Sequence, residues 1–248
     1  MNRNILLLLL LCVCGIATSG GINIQVYNES YDNSNNTGGI VIDGVDLSGA
    51  YSGESIVIGS GVKGKVIREI NHARRLNIDL SVDVSILIGA PATLTVEGDN
   101  NIVDLVFTRF HDKTLMLTSK KNYRATLPLK VVITLPEIME ISHESSGDIK
   151  ISGLKNETID FLLEGSGDVA AEGQSDYFEA TLNDSGNLDL TQLVSRSGKV
   201  FITGSGDAEV SAIKTLNVII DGSGDVYYSG LLKKISKQIN GSGELIVR

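Results

Sequence analysis

Six copies of one tripeptide, Ser146-Gly147-Asp148, Ser166-Gly167-Asp168, Ser185-Gly186-Asn187, Ser205-Gly206-Asp207, Ser223-Gly224-Asp225 and Ser242-Gly243-Glu244, decide how the C-terminal half of this chain folds. Their central glycines lie 20, 19, 20, 18 and 19 residues apart. A repeat this short cannot bury an apolar face alone, so the copies must stack as the coils of a solenoid. Aligned on the glycine, the position two residues later holds Ile149, Val169, Leu188, Ala208, Val226 and Leu245, and the position four later holds Ile151, Ala171, Leu190, Val210, Tyr228 and Val247. Before the glycine, the fourth position holds His143, Leu163, Leu182, Ile202, Ile220 and Ile239, the sixth Ile141, Phe161, Ala180, Val200, Val218 and Lys237, and the eighth Met139, Ile159, Phe178, Gly198, Leu216 and Ile235. Twenty-seven of these thirty positions are apolar in a chain that is 42% hydrophobic, so the columns point inward.

Each coil is therefore expected to carry two short strands of period 2, hinged at the Ser-Gly-acidic corner, with like columns stacked about 4.8 Å apart in parallel sheets. Repeat length varies only between the column four after the glycine and the column eight before it, which places the irregular loops on that side. The general handedness of crossover connections predicts a right-handed coil. Working outward toward the N-terminus, strict alternation from Leu76 to Ile88 reads as a strand or a pair of strands. Further strands are expected at 93–97, 114–118 and 129–135, broken by Gly98-Asp99-Asn100-Asn101 and stopped by Pro136. With 27 Gly, 3 Pro and no Trp, the composition suits short strands and tight turns, and the fold class is all-β.

Arg3, the apolar run Ile5 to Val13 and the small residues Gly15, Ala17, Ser19 and Gly20 read as an export signal over residues 1–19. Cleavage after Ala17 or Ser19 would release a soluble chain. Cleavage before Cys14 would make that residue a lipid anchor, but Val13 stands where a lipobox takes a small residue, which favours simple secretion. Both cysteines lie in this segment, so the secreted form would hold no disulfide or thiolate metal site. Residues 20–65, rich in Asn, Ser and Gly with apolar Ile22, Ile24 and Val26, read as a flexible leader with weak strand content. Residues 66–248 are then one elongated β-solenoid domain, regular over 146–248. The net charge of -9 predicts a chain that repels nucleic acid and anionic lipid rather than seeking them.

In order along the chain come the alternating strand to Ile88, Leu94-Thr-Val-Glu-Gly-Asp-Asn-Asn-Ile102, Lys113-Thr-Leu115, Lys130-Val-Val-Ile-Thr-Leu-Pro136, and Ile141 leading into Ser145-Ser-Gly-Asp148 and repeated Gly-Ser-Gly-Asp corners. This series resembles the bacterial auto-transporter adhesin head GIN domain family. Ser145 stands where Gly is usual, and the third corner reads Asp184-Ser-Gly-Asn187, departures that leave the fold assignment intact. The resemblance implies an exported β-helical protein of the cell envelope, often a lipoprotein.

The acidic corner column could be a calcium ladder, but calcium-binding rolls repeat every nine residues and draw ligands from both neighbouring turns. The period here is about twice that, and a turn role is preferred in which Gly takes a positive φ while Ser and Asp bond local backbone. His143-Glu-Ser145-Ser-Gly147 faintly matches a nucleophile elbow, yet Ile149 and Ile151 continue as strand where a helix is needed. His143 is expected to cap or turn. The sequons at Asn156 and Asn240 carry no assigned role. No catalytic, cofactor-binding or metal-binding residue is assigned. The expected function is an exported, non-catalytic structural or binding module, adhesin-like, contacting an envelope component, glycan or protein. The alternatives are a carbohydrate-active β-helix enzyme and a self-assembling envelope scaffold. Weak homo-oligomerisation through residues 235–248 is also expected, because the final coil from Gly241 to Arg248 presents an uncovered strand edge, and Lys237, in an otherwise apolar column, suits a coil exposed at an end.

Overall fold

The computed structural model describes residues 56–248 and, in backbone only, three strands before them: β1 (Ile24–Tyr27), β2 (Gly39–Ile42) and β3 (Val45–Asp46). Those three pair antiparallel in the order β1-β2-β3 and belong to a separate unit, residues 1–56. Residues 1–19, with the export signal and Cys14, lie outside the described residues.

The second unit, residues 57–248, contains only strands, turns and bends. Its first part holds β4 (Val57–Ile58), β5 (Lys63–Glu69), β6 (Arg75–Ile78), β7 (Asp83–Ile88), β8 (Thr93–Asp99), β9 (Val106–His111), β10 (Thr114–Ser119), β11 (Tyr123–Arg124), β12 (Lys130–Leu135) and β13 (Glu140–His143). The repeats supply β14 (Ile149–Leu163), β15 (Val169–Leu182), β16 (Leu188–Ile202), β17 (Ala208–Ile220), β18 (Val226–Ser229), β19 (Lys234–Ile239) and β20 (Leu245–Val247). The β-solenoid is thus shown. After the corner, the rungs run β20-β18-β17-β16-β15-β14-β7-β12-β8-β5; before it, they run β19-β17-β16-β15-β14-β13-β6-β10-β9. Pairing is parallel throughout the repeats and turns antiparallel only at β12/β8, β8/β5 and β10/β9.

The inward columns are buried as the alternation requires, from Ile151, Phe178, Leu190 and Ile202 to Val218 and Ile220. The 76–88 alternation resolves into a pair, β6 and β7, turning at a corner that buries Leu80 and Val82. The coil differs from the expected pair of short strands. In the middle coils one strand, such as the 15-residue β14, runs from one corner to the next. It bends where the register shifts, between Ile151 and Leu154 and between Leu190 and Ser195. This is the side to which the length variation pointed. A third inward set, Leu154, Leu193 and Ala212, fills the core there and keeps the strand continuous.

The columns depart from expectation at both ends of the stack. Met139 is 41% exposed while Ile138 is wholly buried, because the first rung starts only at Glu140 and the preceding residue turns outward. In the last coil every residue of β19 is exposed, Lys237 included. The corner glycines also act differently from expectation. None of the six has a positive φ; among the described glycines that conformation falls on Gly61, Gly153, Gly173 and Gly230. Gly206 is required by close approach, since a Cβ there would lie 2.0 Å from the Gly186 carbonyl oxygen of the coil beneath.

Candidate binding face

The residue that follows each corner glycine points outward on the sheet built from β7, β14 to β18 and β20. Its side chain reaches along the stack. The Asp168 backbone N–H donates to Asp148 Oδ1 at 3.0 Å, the Asn187 N–H to Asp168 Oδ1 at 2.9 Å, and the Asp207 N–H to Asn187 Oδ1 at 2.9 Å. The Asp225 N–H donates to Asp207 Oδ1 and the Glu244 N–H to Asp225 Oδ1, each at 2.7 Å, and Asp83 starts the series by accepting from Asp148 at 3.2 Å. The expected local turn bonds are therefore replaced by bonds from coil to coil. A short side chain with an sp² oxygen is what this geometry needs, and Asn187 supplies it as well as Asp. Asp148, Asp168 and Asp207 each accept the ladder bond through Oδ1, and in Asp225 the second oxygen also accepts, from the Tyr227 hydroxyl at 3.3 Å. Among the described residues no group of three or more His, Cys, Asp or Glu is arranged to hold a metal ion.

Beside this ladder runs a groove of about 590 Å³ whose lining includes Asp83, Ser85, Lys150, Ala170, Asp189 and Glu209. The small side chains Ser85 and Ala170 leave it open, and the carboxylates of successive rungs line it. Lys150 is the only cation among its lining residues.

The other residues singled out by sequence lie apart from this face. His143 is fully buried at the first coil, and neither ring nitrogen reaches a hydrogen-bond partner. Its Nε2 occupies the space beneath Gly167, where a Cβ would come within 2.5 Å. Burial pushes its pKa below the usual histidine value; the backbone of Gly147 and Ile78, near the ring but outside hydrogen-bond geometry, and the Asp148 carboxylate pull the other way, too weakly to offset it. The His143-to-Gly147 segment is followed by strand β14, with no helix for an elbow. Asn156 donates to the carbonyls of Ile138 and Thr158, and Asn240 to Asp221 Oδ1, so both sequon amides are engaged in structural bonds. Sequence reasoning missed Asp99, which is fully buried and accepts N–H bonds from Gly61 at 2.7 Å, Thr126 at 2.8 Å and Leu127 at 3.0 Å. Burial raises its carboxyl pKa, but those three donors outweigh it and hold the net value below the ordinary one. Its only sequence signal was its place in a turn.

Residues 74–231 match the family described as "Putative auto-transporter adhesin, head GIN domain". The chain belongs to this family. Among solved structures, a "putative adhesin" from Bacteroides fragilis is 21% identical with a TM-score of 0.66, covering 77% of this chain and 100% of that one. Another from Parabacteroides merdae is 16% identical with a TM-score of 0.52, covering 77% and 98%. A third, from Parabacteroides distasonis, is 17% identical with a TM-score of 0.51, covering 78% and 100%. These likenesses are likenesses of fold. No curated protein matches the chain.

Proposed function

We propose that this protein is an exported, non-catalytic, adhesin-like binding module of the cell envelope. We further propose that it makes contact through the groove beside the aspartate ladder. The observation that carries this is the groove itself, an open channel with a carboxylate or amide at successive rungs. The ladder fixes those groups at the coil spacing of about 4.8 Å. A rigid face of this kind is preorganised, so little ordering entropy opposes association with an extended partner. The family description supports the adhesin-like reading, and the export-type N-terminus supports placement in the envelope.

The test uses the chain purified from a host that exports it, screened against glycans and isolated envelope fractions. Saturable binding is expected, and Ala170→Arg, which fills the groove with a bulky cation, should abolish it while leaving the melting temperature intact. Failure of every ligand to bind, or equal binding by the variant, would overturn the contact face. Mass spectrometry of the same material should find an N-terminus near Thr18 or Gly20; an intact Met1 would overturn export.

A further inference from the structure

At the N-terminal end of the solenoid, three lysines gather round one carboxylate. Lys65 on β5 stands opposite Glu97 on β8, and Lys130 on β12 stands opposite it on the other side. Lys63 lies two residues before Lys65 and so on the same face of β5. Lys65 Nζ sits 2.6 Å from Glu97 Oε1. Lys65 foremost, then Lys130 and Lys63, hold the Glu97 carboxyl below its ordinary pKa. Among the described residues neither Lys63 nor Lys130 forms an ion pair of its own. Among the residues that line this spot three cations face the single carboxylate of Glu97; Asp83 stands opposite Lys130 on β7 and Asp99 opposite Lys63 on β8, the Asp99 carboxylate being taken up by the N–H groups of Gly61, Thr126 and Leu127.

These side chains line a pocket of about 470 Å³ together with Gly64, Gly98, Leu127 and Pro128. The two glycines are required there by close approach, since a Cβ on Gly98 would lie 2.7 Å from Leu129 Cδ1 and one on Gly64 2.5 Å from Asn100 Cα. Lysines on an edge strand commonly serve only to block pairing with another sheet, which would account for Lys63 and Lys65. It does not account for Lys130, whose strand is paired on both sides by β7 and β8. Lysine ammonium groups are compact point charges that can meet phosphate oxygens from several directions.

We propose that Lys63, Lys65 and Lys130 form a binding pocket for a phosphate group, with Glu97 holding Lys65 in place and the two unpaired lysines meeting the ligand's charge. The pocket shares no lining residue with the groove beside the ladder, although its Lys130 stands opposite the groove's Asp83, so substitutions confined to one lining test that site alone.

The full chain would be titrated with inorganic phosphate by calorimetry, and separately with phosphatidylcholine vesicles with and without phosphatidic acid. Saturable phosphate binding that weakens with added salt is expected. Each of Lys63→Gln and Lys130→Gln should lower affinity about fivefold. A charge-matched control, Lys214→Gln, should leave it unchanged. Binding to the phosphatidic acid vesicles, competed by free phosphate, would place the group on a lipid; phosphate binding without vesicle binding would place it on a soluble phosphoester, and both support the pocket. No saturable phosphate binding, or equal affinity in the single Lys130→Gln variant, would overturn it. So would lysine variants that aggregate yet bind phosphate as before, which would leave edge protection as the lysines' role.

Discussion

The Phe178 ring fills the space that Gly198 leaves empty in the coil stacked on it: a Cβ on Gly198 would lie 2.1 Å from Phe178 Cζ. The two residues pair directly in the β15/β16 register and occupy the same inward column. One glycine among larger residues thus completes a close-packed layer whose volume is shared between neighbours. Gly198→Ala should destabilise the protein by about 1–3 kcal/mol through overpacking. Phe178→Leu combined with Gly198→Ala should recover part of that loss, as contacting residues couple. Urea unfolding of the single and double variants measures the coupling, and strict additivity would show that the two do not share the space.

Ile202 is wholly buried between rungs β15 and β17. Ile202→Asp would bury a charge with no partner and should unfold the repeats. Circular dichroism with an unchanged melting curve would refute the column assignment.

The ladder predicts a chemical equivalence. Asp168→Asn keeps an acceptor for the Asn187 N–H and should be close to neutral, whereas Asp168→Ala removes it and should cost about 1 kcal/mol. Since the ladder is closed by N–H donors, thermal unfolding with chelator and with millimolar calcium should nearly coincide; a wide gap would reveal an ion in the acidic column.

His143 gives a pH dependence whose sign follows from its lowered native pKa. Above the unfolded-state value of about 6.5, both states hold a neutral ring and this residue adds no slope. As pH falls below that value, the unfolded chain takes up a proton that the folded chain resists, so stability declines until the native pKa is passed. His143→Leu should flatten this segment of the stability profile relative to wild type. Parallel profiles between pH 7 and 5 would show that the buried imidazole does not titrate as its burial demands.

Sequence by itself determined the all-β class, the coil length, the inward columns and the location of the irregular side, because each is a matter of period, and period is local. Leu188 two residues after its glycine and Leu182 four before it can be assigned inward with no knowledge of what they touch. Relationships between coils were decided only by tertiary structure. The corner glycines look like turn residues in one dimension, yet their missing Cβ serves a carbonyl about 19 residues away. Asp148 and Asn187 look like local turn formers, yet they accept from the next coil. The lysine pocket was hidden for the same reason: Lys63, Glu97 and Lys130 are distant along the chain and meet only because β5, β8 and β12 lie side by side. Stacking turns sequence separation into a step of about 4.8 Å, and the partner found at the end of that step depends on register, which a single coil does not encode.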